Sequence, residues 1–126
     1  MSERAINSYR DLQVWQDGMT LAALCYRLAK KLPREELFAM SSQIRRAASA
    51  IPANIAEGYG RESTQSFIQY LRVAQGSLKE LETHLLLSER VGLLEGRHVG
   101  AAMEQCDTLG KKLRAFIRSL QRRTSR

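Results

Sequence analysis

Proline, cysteine and aromatic residues are all scarce in this chain of 126 residues, which has two prolines, two cysteines and only 6% Phe, Trp and Tyr. So few prolines, set against 44% hydrophobic residues, argue against disorder and against strand-rich folds with many turns, and suit packed helices. Two cysteines, Cys25 and Cys106, are too few for a disulfide framework. Each falls on an apolar stripe, where a buried thiol is expected. No stretch approaches the ~18 apolar residues of a membrane span, and Met1 to Arg10 carries charged and polar residues where a signal peptide needs an apolar run. A cytoplasmic location is therefore expected, for a chain whose length fits one domain (1–126) with one core.

Catalytic signatures are missing as well. His84 and His98 lie on different expected helices, with no cysteine or carboxylate at metal-ligand spacing, and read as partly exposed surface histidines. No Gly-x-Ser-x-Gly, phosphate-binding loop or dinucleotide fingerprint occurs, and Gly58-Tyr59-Gly60 reads as a helix end and turn. No enzyme activity, metal or cofactor is expected.

What the chain does contain is helical periodicity. Over residues 11–32, Val14, Gly18, Leu21, Cys25, Leu28 and Leu32 recur in steps of three and four, with Asp11 as the expected N-cap. A second stripe, Trp15, Met19, Ala22, Tyr26 and Ala29, widens this apolar arc beyond one seam. Leu32-Pro33 should end the helix, and Pro33 to Glu36 form a short turn. A second helix is expected over 41–59, capped by Ser41 or Ser42, with Ile44, Ala48, Ile51, Ile55 and Tyr59 on one face. Pro52 lies inside it, so the helix either kinks or is compensated by packing, while small residues at Ser49, Ala53 and Ala56 admit a close neighbour. The third helix, 63–91, places Phe67, Leu71, Ala74, Leu78, Leu81, Leu85 and Ser88 at heptad spacing and closes at Gly92. The fourth, 97–122, repeats the period through Val99, Met103, Cys106, Gly110, Leu113, Ile117 and Leu120. Four helices of similar length with short connections describe an all-α, antiparallel up-down-up-down four-helix bundle.

Two constellations are candidates for function. Gln43, Arg46, Asn54, Glu57 and Arg61 fall on one side of the second helix, away from its isoleucine face. This polar seam is either a solvated face, a structural or interface network, or a small-ligand site. The other candidate is cationic. The net charge is +7, and five of those charges belong to residues 93–126. Lys111, Lys112, Arg114, Arg118, Arg122, Arg123 and Arg126 follow Asp107 with no intervening acid. Complementing the helix dipole accounts for some of them, but seven exceed that need, and nucleic-acid backbone contact is the expectation.

The motifs Tyr9-Arg10-Asp11-Leu12, Val14-Trp15, Ser42 to Ala48, Ile51 to Gly58, Phe67, Ala74, Gly76-Ser77 and Glu80-Leu81-Glu82 resemble a bacterial four-helix-bundle family first found encoded in intervening sequences of large-subunit ribosomal RNA. The resemblance covers nearly the whole chain. It implies a cytosolic, non-enzymatic bundle assembling as a ring-like homopentamer, similar to the accessory proteins of diversity-generating retroelements, which bind RNA and a reverse transcriptase. It supplies no functional residues. The leading reading is an oligomeric protein binding nucleic acid, structured RNA above DNA, through basic surfaces. The alternative is a protein-protein interaction scaffold, docking through the wide apolar arc of the first helix.

Overall fold

The computed structural model describes residues 5–124, and within them four helices form: α1 (Gln13–Ala29), α2 (Met40–Tyr59), α3 (Thr64–Arg90) and α4 (Gly96–Thr124). There is no strand among the described residues. α1 packs on α2 and α4, and α3 packs on α2 and α4, while the backbones of diagonal helices stay apart. Phe67 meets Phe116 while Leu78 meets Gly110, and Val14 lies by Phe116 while Thr20 lies by Gln105. Gly18 meets Pro52 while Ala29 lies by Ser41, and Gly58 turns back onto Tyr70, so each helix runs opposite to its neighbours. This is the antiparallel four-helix bundle.

The expected stripes are the buried ones. Leu21, Cys25, Ile44, Ile51, Ile55, Leu71, Leu78, Leu81, Leu85, Val99, Cys106, Leu109 and Leu113 are essentially inaccessible to solvent. At one end an aromatic series closes the core, with Tyr59 edge-on to Phe67 at 6.0 Å and Phe67 edge-on to Phe116 at 5.6 Å.

Several helix ends differ from expectation. Asp11 does not cap α1. It closes a 3-10 turn, Tyr9–Asp11, where its Oδ2 accepts from the Asn7 and Ser8 amides at 2.9 and 3.2 Å while Ser8 Oγ accepts from the Arg10 amide. Thus α1 starts two residues later than 11, after Leu12, and Gln16 Nε2 ties the turn to it through the Arg10 carbonyl. It also stops at Ala29, not Leu32. The Lys31 and Leu32 amides reach back only three residues, to Leu28 and Ala29, as the chain tightens ahead of Pro33. Neither Ser41 nor Ser42 caps α2. The turn Arg34–Glu36 brings Glu36 beneath the helix start, where its Oε1 accepts from the Met40 amide at 3.2 Å, and Ser41 is buried instead.

The expected close of α3 at Gly92 holds, and Ser63 caps its start. Ser63 Oγ accepts from the Ser66 amide at 3.0 Å at the start of α3. At its end, Gly92 adopts φ +81° while the Gly92 and Leu93 amides return to the carbonyls of Glu89 and Ser88. α4 extends about one turn beyond the expected 97–122, from Gly96 to Thr124. Pro52 is buried within α2, which continues through it. Its ring lies against α1 at Gly18, where a β-carbon would sit 3.5 Å from Pro52 Cβ, so close helix packing offsets the lost backbone bond.

Candidate nucleic-acid interface

The cationic run lies along the second half of α4. Its apolar positions, Leu109, Leu113, Ile117 and Leu120, are buried, which turns the intervening basic residues outward. Arg114, Arg118 and Arg122 recur every four residues, forming one row about 12 Å long at 1.5 Å per residue. Together with Arg123 they are exposed and make no ion pair among the described residues.

The two lysines of the run differ from the arginines. Lys111 pairs with Asp107 one turn back at 3.3 Å, and Lys112 crosses to α1, its Nζ 2.7 Å from Asp17 Oδ2. The Asp17–Lys112 bridge, with Thr20, Glu104, Gln105 and Thr108, lines a cleft of about 260 Å3 between α1 and α4. These lysines therefore join helices or turns as well as adding charge. Arg126 lies outside the described residues.

The polar seam of α2 divides into parts. Glu57 accepts from Arg61 at 2.9 Å, and the Tyr70 hydroxyl on α3 bonds both, with the Arg61 guanidinium 4.9 Å from the Tyr70 ring centre. Chiefly because of the Glu57 hydrogen bond, Arg61 holds its proton more firmly than a free guanidinium. This triad clasps the α2–α3 turn beside Gly58. Asn54 Nδ2 donates to the Ala50 carbonyl of its own helix at 2.8 Å, while Gln43 and Arg46 stand exposed without a side-chain partner among the described residues. The five residues do not converge.

Cys25 on α1 and Cys106 on α4 are free and fully buried, and burial pushes both thiols up to about 12. His84 and His98 are partly exposed, though the Nε2 atom of His84 is itself buried with no hydrogen-bond partner. Among the described residues no group of three or more His, Cys, Asp or Glu side chains could hold a metal ion. Nor is any described helix long and apolar enough to cross a membrane.

Two further surfaces stand apart from these candidates, one foreshadowed by the sequence and one missed by it. Tyr9, Trp15, Met19 and Tyr26 with Ser49, Pro52, Ala53 and Ala56 line an apolar groove of about 420 Å3 along the outside of α1 and α2. The second stripe of α1, wider than one seam needs, and the small residues of α2 pointed to this face. Phe38, in the turn before α2, is 91% exposed, and nothing in the periodicity marks it because it lies outside every helix.

Four antiparallel helices around one core, with no strand among the described residues, define the class of small four-helix-bundle proteins. Within that class, the chain belongs to the 23S rRNA-intervening sequence protein family, whose model matches residues 10–115. A solved structure from Bacteroides thetaiotaomicron, of a protein with unknown function from the S23 ribosomal protein family, is similar at a TM-score of 0.77 and 28% identity, covering 82% of this chain and 97% of that one. Among curated proteins none matches.

Proposed function

We propose that this protein works without catalysis, as a cytoplasmic bundle that assembles with copies of itself and binds structured RNA through the basic surface of α4. The observation that carries the reading is the row Arg114, Arg118 and Arg122, with Arg123 beside it, exposed and free of carboxylate partners among the described residues. Uncompensated guanidiniums at regular spacing suit phosphate oxygens, which they can engage bidentately, and such contacts fix position without reading sequence. Lys111 and Lys112 contribute less, since each already has an acidic partner.

Self-assembly into a ring, a homopentamer by family resemblance, is supported by the open α1–α2 groove, whose floor of Ser49, Ala53 and Ala56 lets a second helix approach closely. Several copies would repeat the arginine row, and avidity would raise a modest affinity. Four phosphate contacts per copy give a log K against log salt slope of roughly −3 to −4. The experiment is a salt titration of binding to a blunt RNA hairpin by the wild type and by the triple variant Arg114→Gln, Arg118→Gln, Arg122→Gln. The slope should flatten by about two to three units in the variant, each lost phosphate contact removing roughly 0.7 to 0.9. Salt-independent binding, or an unchanged variant, would refute the reading.

A further inference from the structure

The corner between α1 and α2 carries a second, different surface. A pocket of about 460 Å3 opens there, floored in part by Tyr26 and Leu37 and rimmed by Lys30, Arg34 and Arg45, with no carboxylate in its lining. Arg45 is held in place by its own chain, donating to the carbonyls of Ser41 at 3.2 Å and Leu37 at 3.1 Å, and neither bond neutralises its charge. Lys30 and Arg34 have no ion-pair partner among the described residues. The adjoining turn carries two acids, Glu35 and Glu36, against the four cations Lys30, Lys31, Arg34 and Arg45, so the corner keeps a net positive charge. Beside the pocket stands one fully open ring, Phe38, the residue after the pocket-lining Leu37, at 91% exposure.

An aromatic ring so open gains nothing within its own chain. Rings presented to water beside fixed and mobile cations are what single-stranded nucleic acid requires, because every unpaired base offers a face to stack on and every nucleotide a phosphate. A duplex offers its phosphates but hides its base faces, and so would leave Phe38 unused. We propose that this corner binds unpaired nucleotides, stacking a base on Phe38 and holding phosphates with Lys30, Arg34 and Arg45. The proposal rests on the RNA-binding reading above and adds to it the class of RNA recognised. The corner lies at the far end of α1 from Asp17 and Lys112, so a stem on α4 and an unpaired strand at the corner engage opposite ends of one bundle.

The test compares a blunt RNA hairpin with the same hairpin carrying an unpaired oligouridine tail, by fluorescence anisotropy, in the wild type, in Phe38→Ala and in Lys30→Gln/Arg34→Gln. The tail should tighten wild-type binding. Phe38→Ala should weaken binding of the tailed RNA by about five-fold or more, the low end for one stacked base, and leave the blunt hairpin unchanged. Because Phe38 is almost wholly exposed, folding is not at issue, and circular dichroism confirms it. The proposal falls alone if wild type binds both RNAs equally, or if Phe38→Ala changes neither or weakens both alike. It falls also if Phe38→Ala alters the sedimenting mass, which would make the corner a contact between copies. If wild type binds neither RNA, both readings fall.

Discussion

Replacing Gly58 with alanine places a new methyl carbon 2.6 Å from Tyr70 Cβ, 3.0 Å from Phe67 Cδ1 and 3.3 Å from the Phe67 carbonyl oxygen. The first and last of these atoms are fixed to the α3 backbone, so no rotamer change relieves the contact and the two helices must separate. Overpacking of this kind costs about 1 to 3 kcal/mol, and rigid neighbours put Gly58→Ala in the upper half of that range. Alanine's better helix propensity returns about 1 kcal/mol, leaving a net loss of roughly 1 to 2 kcal/mol. Gly76 provides the control, since it lies within α3 but a β-carbon there meets nothing within 4 Å. Gly76→Ala should therefore gain about 0.5 to 1 kcal/mol from propensity alone. Urea unfolding followed by circular dichroism, at one protein concentration so that association contributes equally, should separate the two variants by about 1 M or more in midpoint. If both shift in the same direction, the close α2–α3 approach at Gly58 is wrong.

The buried thiols predict an alkaline loss of stability. The folded chain holds both cysteine protons up to about 12, whereas the unfolded chain releases them near pH 9, so their contribution is complete below pH 9 and declines between 9 and 12. Two thiols give a slope of roughly −2.7 kcal/mol per pH unit, read from urea midpoints, and the pH 9 to 10.5 loss should shrink in a Cys25→Ala/Cys106→Ala variant. An equal loss in that variant would assign the effect to lysines and tyrosines instead. Breaking the partly exposed Asp17–Lys112 bridge with Lys112→Met should cost no more than about 1 kcal/mol, and 1 M salt should erase most of the difference from wild type. A loss that persists at high salt would mean the lysine stem packs on the cleft.

Most of the bundle was legible because burial and helical period are local. The stripes through Leu21 and Cys25, Leu71 and Leu78, and Cys106 and Leu113 follow from spacing alone, as does the Gly92 stop. Caps were misread wherever two acceptors competed. Asp11 was drawn into an upstream turn by Ser8, and α2 begins at Met40, ahead of both expected caps Ser41 and Ser42, with Glu36 accepting from the Met40 amide. The cationic run was visible as composition, but its division was not. The Lys111–Asp107 pair sits at readable i, i+4 spacing, whereas Lys112 and Asp17 are 95 residues apart and meet only because α1 and α4 lie side by side. Within the α2 seam, the partner that mattered was Tyr70, on another helix and outside any pattern in α2.

That side-by-side arrangement also bears on how the chain finds its fold. Three of the four helix contacts join neighbours in sequence and can form as successive hairpins across short connections. Only α1 against α4 closes the whole chain upon itself. Low average sequence separation favours rapid folding, while the entropy of loop closure falls on this last seam. It is also the sparsest of the four helix seams, which favours its opening over that of the other three. Cys25 and Cys106 stand on its two sides, where a thiol reagent would register each opening as a labelling event.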